Sequence, residues 1–92
     1  MAKYDIKKSS AFKRAMKKFE HQKKVLEKIE CIIDTLANDE SLESKHRDHA
    51  LQGEYKGYRE CHIEPDLLLI YKKCEDILVL VCFRLGSHSE VF

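Results

Sequence analysis

Glu60 and His62 stand two residues apart in the alternating stretch YRECHIE, so both side chains leave the same face of one strand. Asp66 follows in the turn after Pro65, and His49 lies upstream in an irregular stretch. Arg84 ends the most apolar run of the chain, and His88 lies just beyond it. Imidazoles with an ordinary pKa of about 6.5 gain and lose protons near neutral pH, so two of them can divide the roles of base and acid. A guanidinium can neutralise charge that develops on a phosphate. This set suits the transesterification of RNA. A base removes the proton of a ribose 2′-hydroxyl, that oxygen attacks the adjacent phosphorus, and an acid protonates the departing 5′-oxygen. General acid–base help of this kind contributes roughly 10²–10⁴-fold. The chemistry calls for no metal and no cofactor. Phe92, the last residue, offers a ring on which an unpaired base can stack, worth about 1–3 kcal/mol per base. Each residue also has a plain alternative: a rim ion pair between Arg84 and Glu60, an Asp66 that caps its own turn, a Phe92 folded back on the sheet.

The elements that must position these groups are readable from periodicity. KYDIKKS alternates weakly and reads as a first strand, with Tyr4 and Ile6 on one face. Ser9 or Ser10 can cap a helix on which Phe12, Met16 and Phe19 share a side. A break near His21 to Lys23 precedes a second helix with Val25, Leu26, Ile29, Ile32, Ile33 and Leu36 at helical spacing, ending near Asn38. Residues 39–57 follow neither period and read as a long connection. Three strands follow, YRECHIE, LLLIYKKC and ILVLVCFRL, turned at Pro65–Asp66 and at Glu75–Asp76. The last is expected to be central and buried on both faces, until Gly86 interrupts it. The order β-α-α-β-β-β predicts a single α+β domain over residues 1–92, a small, mainly antiparallel sheet with two N-terminal helices packed on it.

Charge is unevenly distributed. The net charge is +1, yet residues 1–28 hold ten Lys or Arg against Asp5, Glu20 and Glu27, a net of +7, and the remainder carries −6. Lys13, Arg14, Lys17 and Lys18 on the first helix therefore fit a polyanion, with a solvated lysine face as the plain alternative. No apolar run approaches the roughly 20 residues of a membrane span, and MAKYDIKKSS lacks the apolar middle of a secretory signal, so a cytoplasmic protein is expected. Cys31, Cys61, Cys74 and Cys82 form no CxxC pair and read as reduced, mostly buried thiols. A redox or metal-responsive domain built on Cys61, Cys74 and Cys82 is the rival reading.

The segment DHALQGEYKGYRECHIEPDLLLIY, followed by RLGSHSEVF, resembles the YafQ branch of the RelE-type toxins of bacterial toxin–antitoxin modules. The pattern is H-x-L-x-G, then G-x-R-x-x-H-x-x-P-D, then G-S-H-x-x-x-F, and it covers about the last half of the chain. The resemblance implies a RelE-like fold and a messenger-RNA endoribonuclease acting mostly on the ribosome. It implies catalytic or substrate roles for His49, His62, Asp66, His88 and Phe92, with Glu60, Arg84 and Arg59 at related polar positions. It implies a cognate antitoxin as partner, with operator DNA reached only through the antitoxin complex. Two departures stand out. Leu67 occupies a position where some YafQ-type members have tryptophan, and LLLIY carries no arginine where many RelE-type members place one, which shifts that role toward Arg84. A non-catalytic RNA- or protein-binding module of the same fold is the alternative.

Overall fold

The computed structural model describes residues 2–92. Along the chain come β1 (Asp5–Lys8), α1 (Ser10–Lys17), α2 (Lys23–Ala37), β2 (His49–Ala50), β3 (Arg59–Glu64), β4 (Leu67–Cys74), β5 (Val79–Gly86) and α3 (His88–Val91), with 3-10 turns at Ser44–His46 and Gly53–Tyr55. One five-stranded sheet runs in the order β1-β5-β4-β3-β2. β1 lies parallel to β5, and the other neighbours are antiparallel. The expected α+β class and mainly antiparallel sheet are therefore present.

The helices form where the spacing places them. Ser9 caps α1 by accepting from the Phe12 amide at 3.0 Å, and its own hydroxyl donates to the Phe83 carbonyl, tying the start of the helix to β5. The chain turns after Lys18, and α2 ends with Asn38 as its cap. Phe12, Ile29, Ile32, Ile33 and Leu36 bury their side chains against Cys61, Ile63, Leu69, Leu80, Cys82 and Leu85 of the sheet. Burial of one such large side chain contributes about 1.5–3 kcal/mol, so this stripe-on-sheet contact is the main source of cohesion. A smaller cluster covers part of the opposite face, where Leu68, Ile70 and Val91 are buried with Leu51, Tyr58 and Phe83 around them.

Four expectations need correction. The central strand is β4, not β5: two strands flank it on each side, and Leu67 through Tyr71 are all buried. β5 is covered by helices on one face, while Val79, Val81 and Phe83 on the other stay partly open. Ile77 and Leu78 do not belong to that strand. They form the turn before it, 69% and 44% exposed, with Leu78 at a left-handed φ of 51° to reverse the chain. Tyr4 is buried in the core just ahead of β1, whereas Ile6 is exposed, because only the first reaches under the end of α2, donating its amide to the Ala37 carbonyl. Finally, the long connection holds a two-residue strand, and the C-terminus adds a short helix that the expected element order lacks.

Candidate active site

Strand register builds the site. His49 faces Glu60, Glu60 faces Ile70, and Ile70 faces Arg84, one row across β2, β3, β4 and β5. The next row is His62, Leu68 and Gly86. Because Leu68 and Ile70 belong to the smaller cluster, both rows project from the face away from α1 and α2. A β-bulge lies opposite Ile70 and Tyr71, which pair with Arg84 and Cys82 and leave Phe83 as the extra residue. The bulge brings Phe83 and Arg84 together, with the guanidinium 4.9 Å from the Phe83 ring centre. Arg84 Nε is buried without a hydrogen-bond partner among the described residues.

Among the described residues Glu60 is the one charged residue in the buried set, at 7% exposure. A carboxylate taken out of water must be met by donors. His62 Nε2 lies 3.2 Å from Glu60 Oε1, and His49 Nε2 lies 3.9 Å from the same oxygen. The second nitrogen of each ring faces a backbone carbonyl, His49 Nδ1 at 2.6 Å from Arg47 and His62 Nδ1 at 3.3 Å from Pro65. A carbonyl only accepts, so Nδ1 of each ring carries a hydrogen. Nε2 of each ring is then the nitrogen turned toward the Glu60 carboxylate. His46, which was not among the expected residues, donates Nδ1 to the His62 carbonyl at 2.7 Å and steadies that strand.

α3 brings the C-terminal residues over the same face. Ser87 and Glu90 form a capping box, in which the Ser87 amide donates to Glu90 Oε1 at 2.8 Å. That amide, then the Ser87 hydroxyl and Lys18 at 3.1 Å, hold the Glu90 carboxyl down at about 2. Val91 is buried on Leu68 and Ile70. The Phe92 ring stays 44% exposed, with the His88 ring 5.0 Å on one side and Tyr55 edge-on at 5.3 Å. Asp66 sits exposed in the β3–β4 turn and borders a recess with Ser87 and Glu90. The structure therefore joins Glu60, His62 and His49 directly, puts Arg84 in their row beyond Ile70, and pairs His88 with Phe92 on the adjoining helix.

Arg59 is held by Asp48 and Tyr71. Its Nε donates to Asp48 Oδ1 at 3.2 Å and to the Tyr71 hydroxyl at 3.3 Å, and the Tyr71 hydroxyl donates to the same Asp48 oxygen at 2.5 Å. Burial, then the Asp48 carboxylate, push the Tyr71 hydroxyl far above the usual phenol range. Asp48, Tyr71 and Tyr55 escaped the sequence reading. A tyrosine at the end of an apolar strand does signal a hydroxyl in need of a partner, but nothing local names Asp48. Lys13, Arg14, Lys17 and Lys18 are exposed on α1, and Arg14 and Lys18 border a recess shared with Arg84 and Glu90. They lie beside the α3 edge and are not in contact with the Glu60 pair.

The four cysteines are unpaired. Burial pushes the Cys82 thiol up to about 11 and the Cys61 thiol higher still, so neither presents a thiolate near neutral pH. Among the described residues no three His, Cys, Asp or Glu side chains are grouped to hold a metal ion, and no helix is long and apolar enough to cross a membrane.

The sequence profile described as "Bacterial toxin of type II toxin-antitoxin system, YafQ" matches residues 4–92. The mRNA interferase toxin YafQ of Escherichia coli K12 is 34% identical over 93 residues, spanning 100% of this chain and 99% of its own. Among solved structures, a metal-bound toxin from Helicobacter pylori superposes with a TM-score of 0.88 at 37% identity, covering 100% of both chains. YafQ in the E. coli DinJ–YafQ complex superposes with a TM-score of 0.84 at 34% identity, covering 97% of this chain and 98% of that one.

Proposed function

Because this chain belongs to the YafQ family of bacterial toxins of type II toxin–antitoxin systems, we infer that it is an endoribonuclease that cleaves messenger RNA and that its polar sheet face is the site of cleavage. The observation that carries the site assignment is the pairing of two imidazoles with one buried carboxylate, His62 at 3.2 Å and His49 at 3.9 Å from Glu60. His49, the more exposed of the two rings, takes the proton of the 2′-hydroxyl on Nε2. The 2′-oxygen attacks phosphorus, the bond to the 5′-oxygen breaks, and the products are a 2′,3′-cyclic phosphate and a 5′-hydroxyl. His62, held by Glu60, or His88 returns a proton to the leaving oxygen. Arg84 offsets charge on the phosphorane, and Asp66 borders a recess with Ser87 and Glu90. Phe92, braced between His88 and Tyr55 with its exposed part outward, stacks on a base.

The lysines of α1 fit phosphates of the message or of the ribosome, and the partner that silences the toxin is its cognate antitoxin. The E. coli relative is solved bound to DinJ, and the shared fold supports an equivalent partner here. The test is purified protein with ribosomes and message, followed by mapping of RNA 5′ ends. Codon-spaced cuts in the parent protein, reduced by at least about 10²-fold in His49→Ala and in His62→Ala, are the expected result. Protection of the message without cutting favours the non-catalytic binder. Full cleavage by the double variant His62→Ala and His88→Ala refutes the residue roles.

A further inference from the structure

We propose that Asp48, gripped by Tyr71 and Arg59, is a positioning residue that sets His49 against Glu60, an inference that rests on the reading of His49 as the base. His49 needs such a device. It lies in a strand of only two residues, both exposed, at the end of a long irregular connection. No apolar contact of its own anchors it. The residue just before it is held far more firmly. One oxygen of Asp48 receives the Tyr71 hydroxyl at 2.5 Å and Arg59 Nε at 3.2 Å. Tyr71 is 1% exposed on the central strand, and Arg59 faces it directly across β3 and β4, so the donors belong to the rigid part of the sheet.

Backbone geometry carries the restraint from Asp48 to the ring. Successive residues of an extended chain point to opposite faces, so Asp48 grips the helix-side edge while His49 projects on the reactive face. The clamp thus acts through the main chain. One residue before Asp48, Arg47 takes a left-handed φ of 47°, and its carbonyl lies 2.6 Å from His49 Nδ1. Asp48 fixes where the ring sits, and Arg47 fixes which nitrogen carries the hydrogen. The hydroxyl-to-carboxylate bond is charge-assisted and short, the strong kind. A misplacement of a reacting group by about 1 Å can cost roughly 10²-fold in rate.

A double-mutant cycle on the full chain tests this, with cleavage of message on ribosomes and thermal melting measured for every variant. Tyr71→Phe keeps the ring and removes the hydroxyl. It is expected to lower the cleavage rate by about 10–100-fold with KM little changed. In a His49→Ala background the same change is expected to alter the residual rate by less than about 2-fold, because no base remains to be positioned. Asp48→Asn retains an acceptor oxygen for both donors and should cleave within a few-fold of the parent, whereas Asp48→Ala should match Tyr71→Phe. If Tyr71→Phe fails to melt cooperatively, Asp48→Ala takes its place in the cycle. Equal losses in both backgrounds, or no loss from either Tyr71→Phe or Asp48→Ala, overturn the positioning role. Parent-like cleavage by His49→Ala alone overturns the base assignment and the positioning role together, a different outcome from an additive cycle.

Discussion

Val91→Ala isolates the part played by α3. This helix has four residues, too few to be stable alone, and its single buried side chain is Val91 at 2% exposure against Leu68 and Ile70. The change removes two methyl groups. At about 0.8 kcal/mol for each buried carbon, with a small cavity added, the loss is about 2 kcal/mol. It should not spread evenly. α3 packs on β4 and β5 from outside and can lift away without opening the sheet, so the loss falls on the local docking equilibrium. About 2 kcal/mol is roughly a 30-fold change in that equilibrium. The amides of Val91 and Phe92, which donate to the Ser87 and His88 carbonyls, report it directly by hydrogen exchange. Their protection should fall by roughly 30-fold, with the amides of β4 changed far less, and cleavage should fall by as much as the same factor because His88 and Phe92 leave with the helix. Unchanged protection in α3 would refute the packing argument. Loosened α3 amides with undiminished cleavage would refute the claim that this helix completes the site.

Three further outcomes follow from specific groups. Glu90 has its carboxyl at about 2 in the folded chain against 4.5 when free, so the stability it gives α3 is fully present above pH 4.5 and is lost as pH falls through 2; Glu90→Gln should flatten that acid limb in α3 amide exchange. A thiol reagent on native protein should modify exposed Cys31 first and leave Cys61 and Cys82 unreacted until denaturant is added; early loss of a buried thiol would contradict their placement. Replacing Lys13 and Lys17 with Gln should reduce the log–log salt slope of RNA binding by about 0.7 for each phosphate contact removed, and an unchanged slope would exclude these two from the contact.

Parity made half of the site legible. In YRECHIE the two-residue period alone places Glu60 and His62 together and sends Cys61 and Ile63 into the core, as the structure has them. The helices were legible too, since Ile29, Ile32, Ile33 and Leu36 recur at a spacing that only a helix turns into one face. What escaped depended on contacts distant in sequence. His and Ala at positions 49 and 50 have no period to read, and their strand exists only because β3 offers an edge. Apolarity ranked ILVLVCFRL first, but position in a sheet follows topology, and part of that apolarity lies in the exposed turn residues Ile77 and Leu78. The terminal helix carried a local signal that the reading passed over, the Ser87-x-x-Glu90 spacing of a capping box.

β3 shows why so short a chain can hold both a core and a reactive face. Its odd-numbered residues Cys61 and Ile63 join the main core, and Arg59 grips Asp48. Its even-numbered residues Glu60 and His62 face the other way, toward the rows that end at Arg84 and Gly86. The two sets share a backbone but not an environment. Beside the second set, as cross-strand partners on the same face, lie buried Leu68 and Ile70, and apolar neighbours strengthen the charge-assisted contacts next to them. Val91 packs on both, so the residue that docks α3 also covers these apolar neighbours of the site. Folding and chemistry therefore meet in a few apolar side chains, while the imidazoles themselves stand above the packing. Replacing His49, which is exposed and outside both clusters, should change the reaction far more than it changes the fold.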